Sequence, residues 1–283
     1  MYKIMIWAFL ICALTVVEGP RSADAAASKS VFLEDLTTAE LKDRLTRGCP
    51  VALVYGASVE ETGPHVALGK HMFRARAYGE ALAHEMGAAV VAPILPFAPV
   101  GAFSERWKAW PGSISLSPET YSRVNEEVSR SLIAGGFRRI ALLNDHGGPA
   151  QTALHDLAAK LDAEFSAQGV RIFFISDNYA RARDEIQADI RASGQVASGH
   201  GGLWDTAETM AVRPSAVRPE KFHPGNITQE GNGPVNEEGF SGDPTTANRA
   251  LGRKFGALRV RLAADELRSA LSTAGACETG VRQ

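Results

Sequence analysis

The sequence predicts an α/β fold, a three-layer α/β/α sandwich around a mainly parallel sheet. Short apolar runs rich in Val, Ile, Leu and Phe alternate along the chain with longer segments of helical periodicity. Strands separated by helices call for parallel pairing, and strands covered on both faces have continuous apolar runs. The predicted strands are residues 51–58, 88–97, 138–145 and 170–177.

Five segments between and after these strands have the periodicity of helices. The helix predicted over 117–136 begins with Ser117 and Pro118, a preferred cap followed by a preferred first residue, and ends at two glycines. The other predicted helices are 74–87, 149–169, 203–212 and 245–271. A 45% hydrophobic composition supplies one large core, so we expect residues 27–283 to form a single domain.

Residues 1–26 have the features of a secretory signal peptide. Lys3 precedes an apolar stretch over 4–17, and small residues follow at 25–27. This stretch is shorter than the ~20 residues that span a bilayer, which favours cleavage over a retained membrane anchor. We therefore predict an exported protein, periplasmic or secreted, with no membrane attachment after cleavage. Cys49 and Cys277 remain after cleavage; they could pair, but we expect two unpaired thiols.

Charge and motif content exclude several classes of function. The net charge is -2 with both signs interspersed, so no basic stripe indicates a nucleic-acid partner. The chain contains no Gly-x-Ser-x-Gly nucleophile motif, no P-loop and no dinucleotide fingerprint. Cys-x-x-Cys pairs are also absent, so nitrogen and oxygen atoms are the expected ligands of any metal ion.

Three polar clusters, each with a histidine, lie at or near the ends of predicted elements. They are EETGPHVALGKH (60–71), NDHGGPAQ (144–151) and GHGGLWDTAET (199–209). Ligands of parallel sheets bind beyond the carboxyl ends of the strands, so these clusters are expected to converge there. Glu60, His71 and His146 could hold a divalent Zn, Mn or Fe ion with an open position. Glu61 is the alternative to Glu60, and each histidine alone is more often a structural residue.

Five segments occur in the order typical of one protein family. They are GASVEETGPHVALGKH, WPGSISLS, LLNDHGGPAQ, HGGLWDTAETM and GFSGDPTTANRALG. Together they resemble the creatininase (creatinine amidohydrolase) family, and the similarity extends over about residues 50–260. The resemblance implies an α/β/α domain, a homo-oligomer such as a hexamer, and a two-metal centre that hydrolyses a cyclic or linear amide C–N bond.

The resemblance also assigns roles to single residues and shows departures. Glu60 matches the first metal-binding carboxylate, and His146 matches the histidine of the family's Asn-Gly-His pattern. His71 stands where the family has a metal-bridging Asp, while Thr62 and Gly148 replace two further ligands. We therefore expect a divergent member with one firmly held metal ion. A second ion would require a carboxylate from the helix after His200, Asp205 or Glu208.

The expected activity is metal-dependent hydrolysis of a small-molecule amide or lactam. The bond cleaved would be a non-peptide C–N bond. By the resemblance, His200 and Asp205 match a late His and Glu near the metal, and either could take a proton from water. The backbone N–H near Gly147 would bind the developing oxyanion. Trp107 and Trp110 could stack on a flat substrate ring or pack in the core. The alternative function is a non-catalytic relative that binds a small molecule or acts as a scaffold.

Overall fold

The computed structural model of the chain describes residues 29–101, 110–197, 200–227 and 235–277. The predicted signal peptide, residues 1–26, lies outside these ranges, and so does Trp107. Within these ranges no helix combines the length and the apolar character needed to cross a bilayer.

Four parallel strands form the central layer: β1 (Val51–Gly56), β2 (Ala89–Val91), β3 (Arg139–Asn144) and β4 (Arg171–Phe174). Their order in the sheet is β2-β1-β3-β4. β1 pairs with β3 along its whole length, from Val51 opposite Arg139 to Gly56 opposite Asn144. These pairings confirm the predicted strands and their parallel direction. β2 is shorter than predicted because the prolines that follow it lack the N–H needed to continue the ladder.

Seven helices surround the sheet in the described residues. They are α1 (Thr38–Arg47), α2 (Lys70–Met86), α3 (Pro118–Ala134), α4 (Pro149–Phe165), α5 (Ala180–Ala192), α6 (Leu203–Val212) and α7 (Arg249–Thr273). α1 and α5 were not among the predicted helices. α2 begins at Lys70 rather than at residue 74, so Lys70 and His71 belong to its first turn. This early start fixes the direction of both side chains.

Alternate residues of β1 point to opposite layers of the sandwich. Val51, Leu53 and Tyr55 pack with residues of α2 and α7 on one face. Ala52 and Val54 pack with residues of α3 and α4 on the other face. The three-layer α/β/α arrangement is therefore confirmed. A third apolar cluster joins α5, α6 and α7 beyond the first face.

The strand order places a crevice at the carboxyl ends of β1 and β3. The chain leaves β1 towards β2 on one side of the sheet and leaves β3 towards β4 on the other. Such a reversal separates the two connections and opens a space for a ligand between them. Two of the three histidine-bearing clusters follow these two strands directly, and the third precedes α6 nearby.

Cys49 and Cys277 form a disulfide, which corrects the expectation of two unpaired thiols. The bond joins residues 228 positions apart in sequence, with Cα atoms 6.3 Å apart. The two cysteines meet because the chain after α7 returns to the start of the sheet, where Arg139 Nη2 donates to the carbonyl of Gly275 at 3.2 Å. A disulfide that closes so long a loop stabilises the fold mainly by restricting the conformations of the unfolded chain.

α6 and α7 approach each other closely at Gly252, where a Cβ would overlap the carbonyl oxygen of Ala207. We expect Gly252→Ala to lower the free energy of unfolding by about 3 kcal/mol, because backbone on both helices would have to separate. Urea denaturation followed by circular dichroism measures this change. Arg253→Ala, at the exposed neighbouring position, is the matched control. Equal stability of the two variants would contradict the close approach.

Candidate metal centre

Glu60 is the carboxylate at the centre of the crevice. It lies in the loop after β1, where its N–H donates to the carbonyl of Leu68 at 2.9 Å. Its side chain is buried. The neighbouring Glu61 instead accepts a hydrogen bond from the Ser113 hydroxyl. Of the two candidate carboxylates, Glu60 is therefore the one directed at the histidines.

Two imidazoles face the two oxygens of Glu60. His71 Nε2 lies 3.1 Å from Glu60 Oε2. His146, which follows β3, places its Nε2 3.4 Å from Glu60 Oε1. Nitrogen and oxygen atoms of the three side chains lie within 4.8 Å of one another, a spacing that one metal ion can bridge. The structure thus brings together the three residues predicted as ligands.

The hydrogen bonds of the opposite ring nitrogens show which atoms are free to bind a metal. His71 Nδ1 lies 2.7 Å from Asp145 Oδ2, and His146 Nδ1 lies 2.8 Å from the carbonyl of Gly147. The Asp145 carboxylate and the Gly147 carbonyl only accept, so we assign the single proton of each neutral ring to Nδ1. Arg74 Nη2, which also lies 2.8 Å from His71 Nδ1, has the same Asp145 carboxylate as its acceptor. Each Nε2 then turns a lone pair towards Glu60. A cation between these atoms removes the repulsion among them, so the donor set fits a divalent metal.

The charges around Glu60 favour the same conclusion. Burial acts to raise the pKa of Glu60, but His146, His200 and Lys70 outweigh it and hold that pKa well below its usual range. Burial also acts to lower the pKa of His146, but the carboxylate of Glu60 outweighs it and raises the pKa. Both shifts reflect the negative charge of Glu60, which stabilises a positive charge beside it, either a proton on His146 or a bound cation.

Asp145 holds the His71 ring through Nδ1, the nitrogen on the side away from Glu60. It is fully buried at the end of β3 and binds two guanidinium groups, Arg74 Nε at 2.9 Å and Arg259 Nη2 at 2.5 Å. Arg74 Nη2 lies 2.9 Å from Asp145 Oδ2 and 2.8 Å from His71 Nδ1. The guanidinium comes close to the ring because it forms an ion pair with the carboxylate that the ring also contacts. Burial acts to raise the pKa of Asp145, but Arg259 and Arg74 outweigh it and lower it. Asp145 is therefore an anion that accepts a hydrogen bond from His71 Nδ1.

Asp205, in the first turn of α6, is held by three donors. Lys70 Nζ and the Gly201 N–H reach its Oδ2 at 2.5 and 3.0 Å, and Arg74 Nη1 reaches its Oδ1 at 2.7 Å. Glu208, one turn later, receives Arg259 Nη1 at 3.0 Å. The two carboxylates considered for a second metal ion are thus both engaged by buried cations.

His200 lies at the edge of the ligand cluster with one nitrogen available. Its Nδ1 is 4.0 Å from Glu60 Oε1. Its Nε2 is buried and has no hydrogen-bond partner among the described residues. Burial and the charge of Lys70 lower the pKa of His200, so the ring is neutral at neutral pH. His65 Nε2, 2.7 Å from the carbonyl of Gly201, ties the loop after β1 to the loop that carries His200.

A cavity of about 300 Å³ opens onto the cluster. Gly147, predicted to bind substrate, lines it, and so do Tyr179 and Trp204. Trp110 is not among the described residues that line the cavity. Its Nε1 donates to the carbonyl of Glu237 at 2.6 Å, which places the indole against the loop before α7.

The sequence prediction missed the buried cations Lys70, Arg74 and Arg259. Lys70 and Arg74 flank His71 on α2, but the helix was predicted to begin at residue 74, which left Lys70 in the polar cluster before it. Arg259 offered a signal, since it lies between Phe255 and Leu262 in the apolar stripe of α7. A charged residue within such a stripe indicates a buried ion pair.

Comparison with known proteins identifies related chains. The model of the Creatininase family, described as creatinine amidohydrolase, matches residues 34–267. A mycofactocin precursor peptide peptidase of Mycolicibacterium smegmatis is 27% identical over 234 residues, covering 77% of this chain and 85% of the relative. A creatinine amidohydrolase of Pseudomonas putida is 25% identical over 199 residues, covering 67% of this chain and 75% of the relative.

A solved structure has the same fold. The structure named "Creatininase Mn" superimposes with a TM-score of 0.70 at 22% sequence identity, covering 86% of this chain and 99% of the other. The parallel sheet with helices on both faces is common to the two proteins.

The buried ion pairs of Arg259 give a test of the charged layer behind the metal ligands. We expect Arg259→Met to lower the free energy of unfolding by about 3–5 kcal/mol, because it leaves Asp145 and Glu208 without their shared guanidinium. Urea denaturation measures the loss. Arg268 lies on the same helix as Arg259 and forms an exposed ion pair with Glu85 of α2. We expect Arg268→Met to lower the free energy of unfolding by under about 1 kcal/mol. A similar small loss in both variants would show that the buried layer contributes little.

Proposed function

The chain belongs to the creatininase family, and on that premise we propose that it is a metal-dependent amidohydrolase that cleaves an amide C–N bond. The observation that carries the proposal is the convergence of His71 Nε2 and His146 Nε2 on the two oxygens of Glu60. Neither nitrogen has a proton to donate in the tautomers assigned above. Such a donor set suits Zn, Mn or Fe.

The ion, when bound by Glu60, His71 and His146, supplies a Lewis acid that polarises an amide carbonyl and acidifies water. The protein contributes the fixed positions of the three ligands. Glu60 is held by its loop, His71 by Asp145, and His146 by its Nδ1 bond to the carbonyl of Gly147. A rigid ligand set preorganises the site before the substrate arrives.

Proton transfer in this proposal belongs to His200. Its Nε2 has no hydrogen-bond partner among the described residues, and the ring lines the cavity. A neutral imidazole at this place can accept a proton from water and return it to the leaving nitrogen. Asp205 matches the family pattern equally well, but its two oxygens already accept from Lys70, Arg74 and the Gly201 N–H. We therefore assign Asp205 a positioning role.

The size of the cavity supports a proposal for the substrate class. A cavity of about 300 Å³ is at the small end of ligand pockets and suits a single ring or one terminal group. Two of the curated relatives are named for a precursor peptide and for creatinine. We propose a small non-peptide amide or lactam as the substrate. Hydrolysis of a peptide but of no small amide or lactam would refute this part of the proposal.

We also propose that the protein acts outside the cytoplasm. The Cys49–Cys277 disulfide supports this, since such bonds persist in oxidising compartments. Assembly into a homo-oligomer is a further proposal that rests on the family resemblance. Mass determination of the purified protein by light scattering tests it.

Metal content is the primary test of the proposed function. We expect the wild-type protein to hold about one divalent ion per chain and the Glu60→Ala and His146→Ala variants to lose it, because one ion needs about three protein ligands. Inductively coupled plasma mass spectrometry measures the stoichiometry. His155→Ala removes an exposed histidine of α4 and serves as the control that keeps the metal. A wild-type protein without metal after reconstitution would favour the non-catalytic binding protein instead.

The bond between His71 and Asp145 predicts a graded effect on metal affinity. Asp145→Asn keeps the shape of the side chain but weakens the acceptor of the Nδ1 proton, so we expect metal affinity to fall about 10–100-fold. Competition with a fluorescent chelator measures the dissociation constant. Asp156→Asn, an exposed change on α4, should leave it unaltered. Unchanged affinity in a folded Asp145→Asn protein would exclude His71 as a ligand held through Asp145.

A further inference from the structure

Lys70 places a buried ammonium inside the cluster of carboxylates. It is the first residue of α2, and its side chain is 1% exposed. Its Nζ lies 2.5 Å from Asp205 Oδ2 and 3.6 Å from Glu60 Oε2. The ammonium thus sits between the carboxylate of the metal centre and the nearest other carboxylate. A lysine is almost never buried unless it is paired in this way.

We propose that Lys70 is a resident cation that limits the centre to one metal ion, with its ammonium occupying the space between Glu60 and Asp205 where a second ion would bind. The inference rests on the proposed metal-dependent function and concerns the composition of the same site. It assigns Lys70 a role that neither the sequence patterns nor the names of the relatives indicate.

The ligand geometry supports this role. In a two-metal site the ions lie about 3.5–4 Å apart and share or divide nearby carboxylates. Among the described residues, Glu60 and Asp205 are the carboxylates that line the cavity. The Oδ2 of Asp205 accepts from Lys70 and the Gly201 N–H, and its Oδ1 accepts from Arg74. A second ion could bind Asp205 only by displacing the ammonium, which would then keep only the more distant Glu60, itself a metal ligand.

The charge of the buried cluster supports it independently. Among the described residues, eight buried Asp, Glu, Lys and Arg side chains surround the site, five acidic and three basic: Glu60, Glu61, Asp145, Asp205 and Glu208 with Lys70, Arg74 and Arg259. The acidic groups therefore exceed the basic groups by two charges before any metal binds. One divalent ion balances this excess. Two ions would leave an uncompensated positive charge, which a buried site does not tolerate.

Metal counting on Lys70 variants tests the inference. Lys70→Met has nearly the same length and flexibility without the charge, whereas Lys70→Arg retains the charge and is the control. With excess Mn(II) followed by desalting, we expect about one ion per chain in the wild type and in Lys70→Arg, and about two in Lys70→Met. Electron paramagnetic resonance would show the exchange-coupled spectrum of a manganese pair only in Lys70→Met.

A double variant identifies the place of the second ion. Lys70→Met with Asp205→Asn removes both the ammonium and the carboxylate that would replace it as a partner, so we expect the count to return to about one. If Lys70→Met does not fold, as judged by circular dichroism, Lys70→Gln takes its place.

The outcomes separate this inference from the proposed function. One ion in the wild type and one in a folded Lys70→Met protein would overturn the role of Lys70 and leave the proposed function intact. Two ions in the wild type would likewise overturn it without any variant. A wild-type protein that binds no metal would overturn both.

Discussion

The site depends on the ion pairs of Asp145, which join three elements that are distant in the sequence. Asp145 directly follows β3, Arg74 belongs to α2 and Arg259 to α7, and both guanidinium groups bind this one carboxylate. The same carboxylate accepts a hydrogen bond from Nδ1 of His71. The position of the imidazole that faces Glu60 is therefore set by the packing of β3 against α2 and α7. Loss of any of these contacts would move Nε2 of His71 relative to Glu60.

Two departures from the family pattern explain each other through this contact. The pattern has a glycine where this chain has Asp145 and an aspartate where it has His71. A histidine can offer a metal only one nitrogen, and it needs an acceptor for the other nitrogen. Asp145 is that acceptor, at 2.7 Å. On the proposed metal-dependent function, His71 would bind the ion in place of a carboxylate, and Asp145 would orient the imidazole from the layer behind it.

The sequence predicted the fold and the three facing side chains because both depend on local signals. Alternating strands and helices fix the order of the layers, and the loops after β1 and β3 must then meet at one edge. The missed features depend on contacts that sequence spacing does not reveal. Cys49 and Cys277 meet only because the chain after α7 returns to the start of β1. Lys70 turns inward only because α2 begins at that residue rather than one turn later.

Burying this many charged side chains carries a large desolvation free energy. The arrangement of the charges indicates what they contribute to the site. Apolar residues of similar volume would often stabilise a core as well as a buried ion pair does. Here the cations hold Asp145 and Asp205 as anions in fixed directions, one towards His71 and one towards Lys70. Glu60 is left as the one carboxylate of the cluster facing the two Nε2 lone pairs. The charged layer thus fixes the direction of the side chains that face the cavity and, on the proposed function, would limit the positive charge that the centre can accept.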